Sequence, residues 1–290
     1  MIAWDIVLQA AASGLLMGCA YAFAAVGFTI VFGVMNIANF AHGHVIMAAM
    51  FTGWCLDRFL GISPYLAAPL VFALFLALGQ GLYRIVIRPI IGATHIAQLL
   101  TTLGLLIILE NLANLIFGGD LRSVPRPFGG ASLQLGTIHL PWTQLIAAGG
   151  SLAAVASVWA FLRFTRFGSQ IRAAADNRTG ALVSGVPIDR VFRWAFGIAT
   201  GTAALAGVML VPAYLVSPFV GYDFMLKAFV IAIIGGLGSL PGALAAGLLI
   251  GVVEAGSGLF MTASLGTAVV FGLLLVTLLV RPSGLFGKLS

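Results

Sequence analysis

The chain has 290 residues, of which 61% are hydrophobic and 8% are charged, and its formal net charge at pH 7 is +6. Soluble domains contain about 25% charged residues, so this composition excludes a water-soluble protein and predicts an integral membrane bundle of helices. Residues 1–290 leave no room for a separate soluble domain. We expect the positive charge in loops beside anionic lipid and predict no nucleic-acid partner. Cys19 and Cys55 lie in apolar runs and are too few for a disulfide framework or a metal site.

Five apolar runs in the first part of the chain are predicted to be membrane spans. They lie at residues 6–34, 45–60, 64–83, 94–117 and 142–162. In the first run, Gly14, Gly18 and Ala22 recur at every fourth position, a pattern that lets a second helix approach closely. The third run is expected to end in a short basic turn that contains Arg84 and Arg88.

A strongly basic segment at 163–193 follows the fifth span. It contains six arginines and two aspartates, so it should remain on the cytoplasmic side of the membrane. Residues 171–183 have apolar side chains at helical spacing, and Gly185 followed by Pro187 is typical of a helix stop. The apolar face of the predicted helix holds Ile171, Ala174, Ala175, Leu182 and Val183. Such a helix could bind a soluble partner, and a solvated loop that only fixes topology is the alternative.

The remainder of the chain is predicted to contain a sixth span at 194–216, a broken hairpin at 224–254 and a last span at 265–280. The hairpin prediction rests on the sequence GGLGSLPG at 235–242, because glycine costs about 1 kcal/mol and proline about 3 kcal/mol inside a helix. Irregular backbone at membrane depth survives only inside protein or beside a cavity. We therefore expect two half-helices that meet at this break.

The distribution of charge supports the same hairpin. If 163–193 is cytoplasmic, alternation of the spans places Arg84 and Arg88 inside and the proline-containing loop at 118–141 outside. The same alternation places Arg281 on the cytoplasmic side only if both ends of the hairpin lie on the external side of the membrane. The external loop is a candidate surface for a partner.

Polar residues within the apolar spans are the candidate functional residues, because a central ionisable side chain costs roughly 2.5–3.5 kcal/mol on insertion scales. Glu110 either faces a translocation path, or it bonds to a neighbouring helix or lies near the external interface. Asn36, Asn39 and His42 lie in GVMNIANFAHGH at 33–44, where the first helix is expected to break. These three either line a cavity or gate, or satisfy backbone groups that the break leaves free.

The complete set of path or gate candidates includes the glycine-rich break of the hairpin. Its members are Asn36, Asn39, His42, Thr101, Glu110, Asn111, Gly235, Gly236, Gly238 and Ser239. For Thr101, a hydrogen bond to the backbone of its own helix is the alternative.

The chain carries none of the common catalytic motifs. It has no glycine-rich phosphate loop followed by Lys and Ser or Thr, no HExxH, no CxxC and no GxSxG. We therefore do not expect an enzyme, and an ATPase that drove transport would be another chain.

Four collinear stretches of the sequence resemble one protein family. They are GCAYAFAAVGFTIVFGVMNIANFAHGHVIM (18–47), RAAADNRTGALVSGVPIDRV (172–191), KAFVIAIIGGLGSLPGALAAGLLIGVVE (227–254) and RPSGLFGK (281–288). These stretches are similar to permeases of branched-chain amino-acid ABC importers of the LivH/LivM type. The similarity spans nearly the whole chain, and its length and the sequence NIANFAHG place it closer to LivH.

The resemblance implies an all-α polytopic membrane protein like the permeases of type II ABC importers, with about eight membrane-embedded segments in a bacterial-type inner membrane. It implies a second permease chain, expected to be a paralogue, two cytoplasmic ATPase subunits and a periplasmic or extracellular substrate-binding protein. ATP and Mg would bind to the ATPase subunits, so no cofactor is expected on this chain. Family members import Leu, Ile and Val, and also urea, short amides, other amino acids and aromatic acids.

The resemblance also assigns residues 172–186 as a coupling helix that sits in a groove of an ATPase subunit. The residues expected to carry this coupling are Arg172, Ala173, Asp176, Asn177, Arg178, Ala181 and Gly185. A stand-alone secondary transporter is the second hypothesis, since such proteins also use broken helices. It would carry ionisable residues deep in several spans, and Glu110 is almost alone here. A membrane scaffold without transport activity is the third hypothesis. It leaves the polar residues of 33–44 and the hairpin break at 235–242 unexplained.

Overall fold

The computed structural model describes residues 4–125 and 130–287, and these fold mainly as helices. The helices of the first half are α1 (Trp4–Met35), α2 (His42–Leu60), α3 (Pro64–Ile90), α4 (His95–Phe117) and α5 (Trp142–Phe164). Those of the second half are α6 (Arg166–Asp176), α7 (Arg178–Val183), α8 (Ile188–Leu210), α9 (Val220–Gly235), α10 (Leu240–Ser257) and α11 (Ala263–Val280). Two short strands, β1 (Ser132–Leu135) and β2 (Ile138–Pro141), precede α5.

Among the described residues, six helices are long and apolar enough to cross a membrane, namely α1, α3, α4, α5, α8 and α10. The expected number of about eight embedded segments therefore stays a prediction. In α1 and α8 the most apolar windows are 78% buried, whereas in α4 and α5 they are 22% buried. Helices α1 and α8 thus form the centre of the bundle. The outer helices α4 and α5 expose apolar side chains at its periphery, as expected in lipid.

The central contact of the bundle joins α1 to α10 through small residues. A Cβ atom added at Gly18 would lie 2.8 Å from the carbonyl oxygen of Gly247, and one added at Gly247 would lie 2.5 Å from the Cβ of Ala22. Gly14 faces Gly251 in the same way. The predicted close approach to α1 is confirmed, and the small residues of α10 are its partner.

The hairpin of α9 and α10 has its break at Gly236–Ser239, where it was predicted, but the depth of the break was wrong. The arms are 16 and 18 residues long, or about 24 and 27 Å, close to a hydrocarbon layer of about 30 Å. They are therefore nearly full-length helices and not half-helices. Gly236 has φ 97° and Gly238 has φ 86°, which explains why the break needs glycine.

The predicted end of the third span is also wrong, because α3 continues to Ile90 through a π-helical turn at Tyr83–Ile87. This wider turn buries the Tyr83 and Ile87 side chains. Arg88 lies at the end of the turn, where its Nε is 2.9 Å from Oδ1 of Asp189 at the start of α8. The Tyr83 hydroxyl donates to the same oxygen at 3.0 Å.

The described part of the loop at 118–141 contains an antiparallel hairpin that the sequence analysis missed. Residues 126–129 lie outside the described residues. In the hairpin, Leu135 pairs with Ile138 across a two-residue turn. Gln9 of α1 fixes β2, since its Nε2 donates to the oxygen of His139 and its Oε1 accepts from the His139 amide, both at 2.7 Å.

The basic segments gather at the opposite end of the bundle. Arg163 and Pro282 line the same cavity as Gly238 of the hairpin break. The amide of Leu285 donates to the oxygen of Ile234 at 2.7 Å, so the chain after α11 is bound to the end of α9. This arrangement agrees with the hairpin topology that the charge distribution predicted. Lys288, the last residue of the RPSGLFGK stretch, lies outside the described residues.

We expect Gly247→Ala to lower the stability of the bundle by about 1–3 kcal/mol, because its Cβ would overlap Ala22. Gly272→Ala in α11 is the matched control, since nothing lies within 4 Å of its added Cβ. Thermal unfolding of the purified protein in detergent measures both. Equal unfolding midpoints for the two variants would contradict the tight α1–α10 contact.

Candidate functional site

The chain between α1 and α2 forms a polar break that three of the predicted candidates build. Asn36 adopts a left-handed conformation with φ 53°, and its side chain is exposed. The Asn39 side-chain oxygen accepts a hydrogen bond from the amide of Ala41 at 3.2 Å. His42 is buried, and its Nε2 donates to the carbonyl oxygen of Ala24 in α1 at 2.8 Å. The break is thus held by side chains that satisfy its own backbone and that of α1.

A second polar contact lies beside the break and joins three helices. Nε2 of His44 in α2 donates to Oε2 of Glu110 in α4 at 3.2 Å. Tyr222 of α9 packs edge-on against the His44 ring at a centroid distance of 4.9 Å, and its hydroxyl interacts with the Glu110 carboxylate. His44 was not among the predicted candidates, although it follows His42 by two residues in the same polar motif.

This cluster opens to the surface of the chain. The Tyr222 and Leu226 side chains of α9 are each 42% exposed, and the Glu110 side chain is 15% exposed. Phe40 of the break packs against Phe229 of α9 with ring centroids 6.0 Å apart. One face of α9, together with the break and α4, therefore presents a carboxylate and a phenol among apolar and aromatic side chains. We refer to this face as the Glu110–His44–Tyr222 surface.

Two candidates of α4 do not join this contact. The Thr101 hydroxyl donates to the oxygen of Ala97, and the Asn111 amide donates to the oxygen of Ile107, both at 2.8 Å within the same helix. The hydroxyl of the neighbouring Thr102 also lies 3.1 Å from an oxygen of its own helix, that of Gln98, but it reaches the break as well, 3.3 Å from the oxygen of Ala38.

The four candidates of the hairpin break lie elsewhere. The Ser239 hydroxyl accepts from the amide of Gly242 at 3.1 Å and caps α10. Gly235 accepts a hydrogen bond from the amide of Phe286 at 3.1 Å, next to Gly236 and Gly238. The break thus belongs to the end of the bundle that carries the basic segments and not to the Glu110–His44–Tyr222 surface.

The basic segment at 163–193 contains two helices where one was predicted. The interruption falls at Asn177, whose side-chain oxygen accepts from the amide of Gly180 at 2.8 Å and caps α7. Asn and Asp favour such caps because their short side chains reach the free amides of a helix start. The predicted stop is present, since Gly185 has φ 79° and donates to the oxygen of Leu182 at 3.0 Å.

The predicted apolar face of this segment is partly wrong. Ile171 and Ala174 are buried, but Ala175 is exposed, Leu182 is 62% exposed and Val183 is 85% exposed. Leu182 and Val183 follow the interruption at Asn177, so they do not continue the buried face of α6. Two large apolar side chains are therefore exposed on a basic surface.

The remaining coupling candidates bind this segment to the bundle or stay exposed. The Arg172 guanidinium donates to the backbone oxygen of Leu162. The Arg178 guanidinium carbon lies 5.4 Å from the centre of the Phe192 ring of α8, in a cation–π contact. Ala173 and Asp176 are exposed.

Sequence reasoning missed an ionic network between α1, α9 and α10. Nζ of Lys227 lies 2.7 Å from Oε1 of Glu254 and donates to the Tyr21 hydroxyl at 3.0 Å. The Tyr21 hydroxyl also bonds to that of Tyr214. Glu110 is therefore accompanied by other ionisable residues within the bundle, contrary to the expectation that it is almost alone. The sequence feature that could have indicated this network is the pair of opposite charges within the predicted hairpin, Lys227 on its first arm and Glu254 on its second.

Within the described ranges, no group of three or more His, Cys, Asp or Glu side chains could hold a metal ion. The observed site consists of a helix break, a surface carboxylate, paired charges between helices and a basic surface with exposed apolar side chains. Together with six helices long and apolar enough to cross a membrane, these are the features of a multi-pass membrane protein.

The chain belongs to the family described as the permease component of branched-chain amino acid transport systems, whose profile matches residues 10–279. The permease protein LivH of the high-affinity branched-chain amino acid transport system from Salmonella typhimurium is 32% identical over 97% of this chain and 96% of its own length. The corresponding LivH from Escherichia coli is 31% identical over the same shares. BraD from Pseudomonas aeruginosa is 29% identical, also over 97% and 96%. Among solved structures, none matches this chain.

Family membership confirms several predictions. The protein is a membrane permease and not an enzyme, it is a multi-pass inner-membrane protein, and it is closer to LivH than to LivM. As a permease of this family it works with separate ATPase subunits and a substrate-binding protein.

We expect Glu110→Ala to lower the stability by about 1–3 kcal/mol, because it leaves the buried His44 ring without its hydrogen-bond partner. Asn111→Ala is the matched control and should change the stability by less than about 0.5 kcal/mol. A double-mutant cycle of Glu110→Ala and His44→Phe, measured by unfolding in detergent, should give a coupling of about 0.5–3 kcal/mol. Additive effects would show that the two side chains do not interact.

Proposed function

We propose that the chain is the transmembrane permease subunit of an ATP-driven importer for branched-chain amino acids or related small polar solutes. The observation that carries the proposal is family membership over residues 10–279. The LivH relatives, which align over 97% of this chain, are named for branched-chain amino acid transport. Urea, short amides, and aromatic or other carboxylic acids are the alternative substrates within the same family.

The Glu110–His44–Tyr222 surface is the part of this chain that we assign to the translocation path. Its carboxylate can accept hydrogen bonds from an ammonium or amide group, and Leu226 and Phe40 offer apolar contact beside it. Asn39 and His42 support this surface by fixing the break. In this arrangement they are structural supports of the path and do not contact the solute.

The segment at 163–193 is the part that we assign to coupling with the ATPase subunits. The exposed Leu182 and Val183 provide the apolar contact, and the arginines around them supply positive charge. Asn177 caps α7 and so positions both side chains. ATP and Mg bind to the ATPase subunits in this proposal, and a second permease chain, expected to be a paralogue, completes the path.

The transport proposal predicts uptake that depends on ATP. Proteoliposomes with this chain, its partner permease, both ATPase subunits and the binding protein should accumulate labelled leucine only when ATP is supplied. Unlabelled valine or isoleucine should compete, whereas urea and short amides should not. The matched control contains an ATPase subunit without its catalytic carboxylate. Uptake by this chain alone under an ion gradient would contradict the proposal and favour a secondary transporter.

The coupling proposal predicts that Leu182→Glu with Val183→Glu weakens binding of the ATPase subunits about tenfold or more, since the change would bury two unpaired carboxylates in the interface. Co-purification from detergent measures the effect. Leu133→Glu with Leu135→Glu in β1 changes two partly exposed apolar residues at the other end of the bundle and should leave binding intact. Unchanged binding in the first variant would exclude α7 as the docking face.

A further inference from the structure

A cavity of about 960 Å³ opens at the end of the bundle that carries the basic segments. Its walls come from the ends of α1 and α5, from α6, from the hairpin break and from the chain after α11. Most of the lining is apolar and includes Ile30, Val34, Leu162, Ile171, Ile233 and Phe286. The volume lies near the upper end of the roughly 300–1,000 Å³ typical of pockets for drug-sized ligands, and so exceeds what one small amino acid needs.

The polar groups of this cavity have a net positive charge. Arg163 and Arg172 line it together with Asp176, so the formal charge of the lining is +1. Trp159 lies one turn before Arg163 on α5 and also lines the cavity. A tryptophan beside cations is typical of the boundary between hydrocarbon and lipid headgroups.

One polar atom of the wall has no partner. The Thr29 side chain is 1% exposed, and its hydroxyl makes no hydrogen bond among the described residues. A buried hydroxyl without a partner destabilises the folded protein. An occupant that offers an acceptor oxygen within an otherwise apolar body would remove that cost.

We propose that the cavity binds an anionic phospholipid of the cytoplasmic leaflet. The two arginines contact the phosphate, the apolar wall contacts an acyl chain, and an ester carbonyl accepts from Thr29. The presence of Asp176 favours a headgroup with one negative charge over one with several. Because the wall includes both α6 of the coupling segment and the hairpin break, the lipid joins two elements that contact each other little otherwise.

Native mass spectrometry of the delipidated protein, titrated with phosphatidylglycerol or phosphatidylcholine of identical chains, tests this site. We expect the anionic lipid to bind more tightly, and Arg163→Gln with Arg172→Gln to reduce its affinity about tenfold or more. Arg84→Gln with Arg190→Gln removes the same charge outside the cavity and should change the affinity less than about twofold. Similar losses in the two double variants would show general surface attraction and overturn the proposal.

A second variant separates the cavity from its charge. Ala175→Trp keeps every arginine but places an indole ring in the cavity beside Arg172, since Ala175 lies in its wall, and it should also lower the affinity for phosphatidylglycerol. Normal lipid binding in this variant would contradict the proposal. Glycerol phosphate at equal concentration should not displace the lipid, and full displacement would indicate a site for free phosphates instead. Unfolding midpoints confirm that each variant is folded.

Discussion

The close contact of α1 with α10 is the constraint on which the rest of this structure depends. In lipid, helices gain little from expelling water, so they associate through backbone proximity and van der Waals packing. Gly18 and Gly247 allow that proximity, and α1 becomes a central helix surrounded by others. The same contact brings Tyr21 beside the Lys227–Glu254 pair. A larger residue at either glycine would separate both the helices and the charges.

Several polar groups inside this bundle find a partner on another helix, in a break or on the backbone of their own helix. His42 bonds to α1, and His44 bonds to Glu110. Two of the buried polar atoms that lack a partner among the described residues lie at regions to which we assign a function. Nδ1 of His44 is buried without a partner near the surface we assign to the path, and the hydroxyl of Thr29 is buried without a partner at the cavity.

The sequence predicted those features that depend on local chemistry. Glycine conformation explains why the hairpin breaks at Gly236, and small residues at every fourth position explain why α1 packs closely. The path candidates around Asn39 were predicted because polar groups are costly in lipid. The contact between Lys227 and Glu254 was not predicted, because it requires the register of α9 against α10. The interruption at Asn177 was missed because alanine-rich sequence around it favours one continuous helix.

The arrangement of α8 provides a physical connection between the two proposed functional regions. At one end it packs under the basic segment, where Arg178 lies over the ring of Phe192. Further along, an added Cβ at Gly27 of α1 would meet both Thr202 of α8 and the ring of His42. Because α8 is one of the most buried helices, a displacement at its basic end cannot be absorbed by a flexible surface. We therefore expect such a displacement to reach Gly27 of α1, which lies beside both Thr202 and His42, and so the break that supports the proposed path.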